Sequence, residues 1–270
     1  MSFVEKVRAI QASSRSLLCV GLDVDLEKIP QHLRSLPNPV LEFNRQIIDA
    51  TQDLVCAYKP NLAFYEAMGR QGLFSLYETL KLIPKSVLTI GDAKRGDIGN
   101  TAERYAHSLF DDFGFDSITV NPYMGFDSVQ PFLSNPEKGV FLLALTSNSG
   151  SKDFQRLKVG AKPLYEKVVH AAKKWNDKEN IGLVVGATHP KELQRVRKIV
   201  ADMPILIPGV GKQGGNMQSA IRWGCDKHGQ LAIINASRSI LYASSGKDFA
   251  GAARTEAQNM VEEMRRILPS

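Results

Sequence analysis

No apolar run in the 270 residues approaches the roughly 18 that a membrane-spanning helix needs, so no membrane contact is expected. Cysteine is scarce: Cys19, Cys56 and Cys225 are odd in number and scattered, which does not suit a disulfide framework. The opening residues M-S-F-V-E-K lack the apolar centre of a secretion signal. Together these absences point to a reducing, cytoplasmic setting. Linker text is also missing. Gly- and Ser-rich stretches occur only at Thr146–Lys152 and Ser244–Lys247, which read as loops, and no repeat of solenoid spacing is present. Acidic residues fall short of basic ones, 28 against 34, leaving a formal charge of +6. The basic residues are dispersed and have no aromatic platform beside them, so nucleic acid is not an expected partner. A phosphorylated small molecule is an equally good reason for the positive field.

What is present is an ordinary globular composition, 43% hydrophobic and 23% charged, able to bury a large core. Short apolar runs alternate with longer segments of helical period from end to end. Strands are expected near Leu17–Asp23, Ala57–Phe64, Ser86–Ala93, Ser117–Asn121, Gly139–Thr146, Ile181–Ala187, Pro204–Pro208 and Leu231–Ala236. Between them the helical pattern covers Pro39–Leu54, Glu66–Ile83, Asn100–Phe113, Lys162–Trp175, Pro190–Val200 and Gly215–Trp223, with a last helix over Asp248–Ile267. Repeated βα units of this size join parallel neighbours, and eight of them close without an edge. The expectation is therefore α/β: one (β/α)8 TIM barrel over residues 1–270, with the helix Phe3–Ala12 plugging the barrel bottom. An open doubly wound sheet is the rival. The even length of the units and the lack of a composition shift count against it.

In such a barrel the active site lies at the C-terminal ends of the strands. The polar residues there are Asp23 in G-L-D-V-D, Lys59 and Asn61 in Y-K-P-N, Asn121, Thr146-Ser147-Asn148, the loop P-G-V-G-K-Q-G-G, and N-A-S-R-S. Each also has a plain structural reading: Asp23 and Asn121 suit turns, and Lys59 suits the rim. Gly209 to Gly214 spells G-x-G-x-x-G, but it follows the seventh strand, and no acidic residue answers it at the end of the next one. Loops after strands seven and eight of a barrel build phosphate sites from backbone N–H groups, and Arg238 supplies a fixed cation there.

The densest charge lies in T-I-G-D-A-K-R-G-D-I-G-N-T-A, Thr89 to Ala102. On an extended strand Asp92 and Lys94 share one side, facing the barrel mouth. Asn100 and Glu103 suit a helix capping box, which leaves Asp97 free. A surface salt-bridge cluster would contribute little stability. An ammonium flanked by carboxylates stays a cation and donates protons. That disfavours a Schiff-base lysine, which must be neutral to attack, and a metal site, whose place the lysine takes. The job left is to stabilise and protonate a carbanion while a phosphate is held at strands seven and eight. Lys59 extends the array to Lys59, Asp92, Lys94 and Asp97.

D-A-K-R-G-D-I-G-N-T-A, joined to G-L-D, Y-K-P-N, P-G-V-G-K-Q-G-G and S-R-S, resembles the orotidine 5′-monophosphate decarboxylases, in wording closest to their longer bacterial and archaeal branch. The resemblance implies decarboxylation of orotidine 5′-monophosphate to UMP with no cofactor and no metal. It implies that Lys94 protonates C6 and that Lys59, Asp92 and Asp97 form its charge network. Asp23, Lys59 and Thr101 then contact the ribose, Ser147 the pyrimidine, and Gln213, Arg238 and the backbone at Gly209 and Gly211 the phosphate. It also implies a homodimer in which Asp97, Ile98 and Thr101 reach the neighbouring site, and a lid lengthened by Ser151–Val159. Arg95 is left with a structural role.

Two rivals stand beside this reading. Metal-dependent sugar-phosphate decarboxylases and hexulose-phosphate synthases share the fold and D-x-K-x-x-D, but carry a carboxylate where this chain has Lys59. A non-catalytic basic barrel would bind RNA or a nucleotide in a salt-sensitive way without turnover. Smaller motifs carry less. Arg95-Gly96-Asp97 is an integrin tripeptide out of context, Asn235-Ala236-Ser237 a glycosylation acceptor on a buried strand, and Cys225-Asp226-Lys227-His228 a zinc motif without its second pair of ligands.

Overall fold

The computed structural model describes residues 1–210 and 214–268. Eight parallel strands close into a barrel in chain order: Leu18–Leu22, Ala57–Pro60, Leu88–Arg95, Ser117–Val120, Gly139–Leu145, Ile181–Val185, Ile205–Pro208 and Ala232–Ala236. The first strand pairs with the eighth, so no edge is left for another chain to extend. No helix among the described residues is long and apolar enough to cross a membrane.

Strand alternation divides the core into two clusters. Leu18, Val20 and Leu22, Ile118 and Val120, and Ile205 and Ile207 face the helical ring. Cys19, Ala57, Leu88, Ile90, Phe141, Val184, Leu206 and Ile233 point into the barrel. The N-terminal helix Phe3–Ser14 joins the second cluster, sending Phe3, Val4, Val7 and Ile10 among these inward side chains. Its start is fixed by a Ser2–Glu5 capping box. Phe3 lies edge-on to Phe141 with ring centroids 5.8 Å apart. Gly139 is required beneath it, since a Cβ there would sit 2.3 Å from the Phe3 ring.

Several boundaries differ from the sequence reading. The second strand stops at Pro60 because Asn61 caps a new helix, Leu62–Glu66, its side-chain oxygen accepting from the Ala63 N–H. The helix expected from Glu66 is thereby split, resuming as Gly69–Leu82. The third strand runs on to Arg95 through a register shift against the fourth. The Asn100–Glu103 capping box does not form. The helix starts at Gly99 with Ile98 as an N-cap that lacks a side-chain hydrogen bond, and Asp97 Oδ1 accepts from the Ile98 N–H at 2.8 Å. Around 151–159 the chain makes a one-turn helix, Ser149–Lys152, and a two-stranded ribbon, Lys158–Val159 with Lys162–Pro163. Arg156 ties this segment down through Glu192 at 2.9 Å and His189 at 2.8 Å.

Candidate active site

The inward register that places Cys19, Ala57, Ile90 and Ile233 in the apolar interior places Asp23, Lys59, Asp92 and Asn235 nearer the strands' C-terminal ends. These line a cleft with Pro208, Gly209, Val210 and Arg238. Its centre is the Asp92 carboxylate. Oδ2 accepts from Lys59 Nζ at 3.0 Å, and Oδ1 accepts from Lys94 Nζ at 2.6 Å and Thr119 Oγ1 at 3.0 Å. Asp23 Oδ1 stands 3.9 Å from Lys59 Nζ and, among the described residues, has no hydrogen-bond donor although it is buried.

The two ammonium groups sit in different surroundings. The Lys59 side chain is 5% exposed and that of Lys94 is 49% exposed. Burial pulls Lys59 downward in pKa, but Asp23 and Asp92 outweigh it and hold the amine above its usual range. Burial likewise pushes Asp92 up, and Lys59 and Lys94 reverse this, holding the carboxyl below the usual carboxylate range. The result is a buried, fully ionised pair beside a second, solvent-facing cation. Asp92 and Lys94 do meet, as their spacing suggested, but not by simple alternation: Lys94 has a left-handed backbone, φ +47.

The glycine-rich loop starts at Gly209, whose φ of +93 lets the chain leave the seventh strand where a side chain would be strained. The Gly209 carbonyl accepts from the Gly215 N–H at 3.0 Å and closes the loop. Gly211 and Gln213 lie outside the described residues. Arg238 is exposed at the start of the short helix Arg238–Leu241, on the same cleft.

Other predicted positions do not line this cleft within one chain. Ile98 is 55% exposed, Thr101 is exposed in the first turn of its helix, and Asp97 bonds only to its own loop among the described residues. Ser147 packs against Gly186, where an added Cβ would lie 2.8 Å from the Ser147 nitrogen. Asn61 and Asn121 each cap the turn that follows them. Arg95 takes the expected structural place: its guanidinium pairs with Glu66, donates to the Ala93 carbonyl at 3.2 Å and lies 5.3 Å from the Tyr105 ring centre. Asp226, in the rejected zinc motif, pairs with Arg8 at 2.6 Å and accepts from the His228 and Gln230 N–H groups.

The sequence does not mark Thr119 as a site residue, and it offers Asn235 only as a strand-end polar residue of N-A-S-R-S without a role. Thr119 sits in the short strand S-I-T-V, and nothing local distinguishes it from a β-branched strand former. Inward parity on the fourth strand was the available signal. Asn235 is 8% exposed and donates to Ser237 Oγ at 3.3 Å.

Residues 16–253 match the family model described as orotidine 5′-phosphate decarboxylase / HUMPS. An orotidine 5′-phosphate decarboxylase of Dehalococcoides mccartyi is 51% identical over 264 residues, covering 96% of each chain. A solved OMP decarboxylase of Leishmania donovani superposes with a TM-score of 0.84 at 37% identity, covering 98% of this chain and 99% of that one. The UMP synthase of the same organism gives 0.89 at 40% identity, covering 99% of this chain and 56% of the longer one.

Proposed function

Because the chain belongs to the orotidine 5′-phosphate decarboxylase / HUMPS family, we propose that its cleft converts orotidine 5′-monophosphate to UMP and CO2 with no metal or cofactor. The observation that carries this reading within the family is the Asp92 carboxylate held between Lys59 and Lys94. Both its oxygens already accept from ammonium groups, so a divalent metal at this carboxylate would have to compete with two lysines. The metal-dependent branch would need a carboxylate where Lys59 stands.

The reaction breaks the bond from C6 to the carboxylate carbon, and CO2 departs. The electron pair stays on C6 in the plane of the ring, where the π system delocalises it poorly. Stabilisation must then be mainly electrostatic. Lys94 supplies the positive charge, and its Nζ gives the proton that forms the new C6–H bond. Asp92 and Lys59 hold it in place. Asp23, Lys59 and Thr101 bind the ribose and Ser147 the pyrimidine, while Gly209, Gly211, Gln213 and Arg238 bind the phosphate. Binding energy at the phosphate end offsets the cost of bringing an anion beside Asp92.

The same reading makes the protein a cytoplasmic homodimer. Asp97, Ile98 and Thr101 are exposed or half-exposed near the mouth of their own barrel, which supports their reaching a neighbour's site. Each subunit is then one (β/α)8 domain, closed below by its N-terminal helix. Mixing the protein with orotidine 5′-monophosphate is expected to abolish the orotate absorbance and produce UMP. Nucleotide or salt-sensitive RNA binding without that loss would contradict the enzymatic reading and favour a binding barrel.

A further inference from the structure

Lys94 owes its position to a defect in the sheet. Gly91 lies level with Ile118 and Arg95 with Val120, so Asp92, Ala93 and Lys94 all bulge out opposite Thr119. Such a bulge interrupts the ladder, and Lys94 takes the left-handed conformation that a side chain rarely adopts. Its N–H donates instead to Thr119 Oγ1 at 2.9 Å. The hydroxyl has one proton to give, and gives it to Asp92 Oδ1 at 3.0 Å. The same Oδ1 receives Lys94 Nζ at 2.6 Å. A ring thus closes from the Lys94 backbone through Thr119 and Asp92 back to the Lys94 ammonium. Thr119 is 1% exposed, so water does not compete for its hydroxyl.

We propose that Thr119 is a positioning residue for the decarboxylation, its hydroxyl locking the bulged Lys94 backbone and the Asp92 carboxylate into the geometry that presents Nζ to C6. This rests on the reading of Lys94 as the acid. Every polar group in the ring has a partner, so the ammonium is pre-oriented before substrate arrives. As the proton leaves Lys94, Thr119 continues to donate to Asp92 Oδ1 and limits its displacement.

The test compares Thr119→Val, Thr119→Ser and Lys94→Ala by steady-state kinetics, UMP affinity and thermal unfolding. Loss of a hydrogen bond to a charged group predicts a kcat about ten- to a hundredfold lower for the valine protein. Its UMP affinity is expected to be unchanged, because the phosphate loop is untouched. Thr119→Ser keeps the hydroxyl and should recover most of kcat. Should the valine protein not fold, Thr119→Ala removes the same hydroxyl and carries the same expectation. Native kcat in Thr119→Val beside an inactive Lys94→Ala would overturn the proposal, as would a serine variant as impaired as the valine one. Substantial turnover by Lys94→Ala would instead remove the premise, and it is read independently of the Thr119 proteins.

Discussion

The two ends of the barrel interior use the same eight strands in opposite ways. At the bottom, Phe3, Val7, Phe141 and Ile233 fill the space with apolar atoms. Toward the mouth, inward positions of the same alternation hold Asp23, Lys59, Asp92 and Asn235. Packing below excludes water and supports the fold. Above, burial strengthens each charge interaction but makes every unpaired charge costly. Lys59 and Asp92 are sustained there by mutual neutralisation, and the cleft retains one buried acceptor, Asp23 Oδ1, with no donor among the described residues. On the proposed reading, stability and chemistry are thus separated along the barrel axis, and substitutions at the two ends should separate them in the same way.

The largest effect is expected at the mouth. Lys94→Ala should lower kcat by at least about a thousandfold, the combined scale of one positioned acid and its charge. UMP affinity and the unfolding midpoint should stay near native, since the Lys94 side chain is half exposed. Mixing this protein with Asp97→Ala tests whether sites are shared. Random reassortment should restore about a quarter of native sites, and no recovery despite proven subunit exchange would count against sharing.

Phe3→Ala and Lys59→Met sharpen the contrast. Truncating Phe3 should cost about 3–5 kcal/mol in denaturant unfolding through the cavity it leaves, with kcat of the folded protein preserved. Lys59→Met takes the nearby cation from Asp23 and one of two from Asp92 and should cost a similar ~3–5 kcal/mol, but with turnover lost as well. Equal activity in the two proteins would erase the division between the ends.

The smallest effect is in pH. Asp92 titrates below its ordinary 3.8 in the fold, so its stabilisation is complete above that value and is lost as pH falls through the folded pKa. Lys59 titrates above its ordinary 10.5, so its share is complete below that value and is lost as pH rises through the folded pKa. Between about pH 5 and 9 the pair should therefore leave the unfolding free energy level, and a slope removed by Lys59→Met would contradict this.

Much of this architecture was legible in the sequence because the strands are short apolar runs with turn residues at their ends. Leu18–Leu22 and Ile181–Val185 are buried throughout, as such runs suggest. Lys59, Asp92 and Lys94 were legible because charge at a strand end is expensive without a task, whereas Asp97, expected in the same array, bonds only within its own loop among the described residues. The bulge was not. Gly91 to Arg95 has no turn signature, and its extra residues are defined only by the register with the fourth strand. Thr119 was hidden for the same reason, its role arising only when the third strand's bulge faces it. The Asn100 cap failed because Gly99 opened the helix one residue early, placing Asn100 inside the first turn. The ribbon at Lys158–Pro163 has too few apolar residues to show strand periodicity.

In the proposed mechanism an ionic cluster of lysine and aspartate, without a metal, carries out the decarboxylation. The most direct measurement is the rate of orotate absorbance loss on addition of orotidine 5′-monophosphate, with and without excess chelator. Equal rates are expected. Activity that disappears with chelator and returns on adding a divalent cation would contradict the account and place the site with the metal-dependent branch.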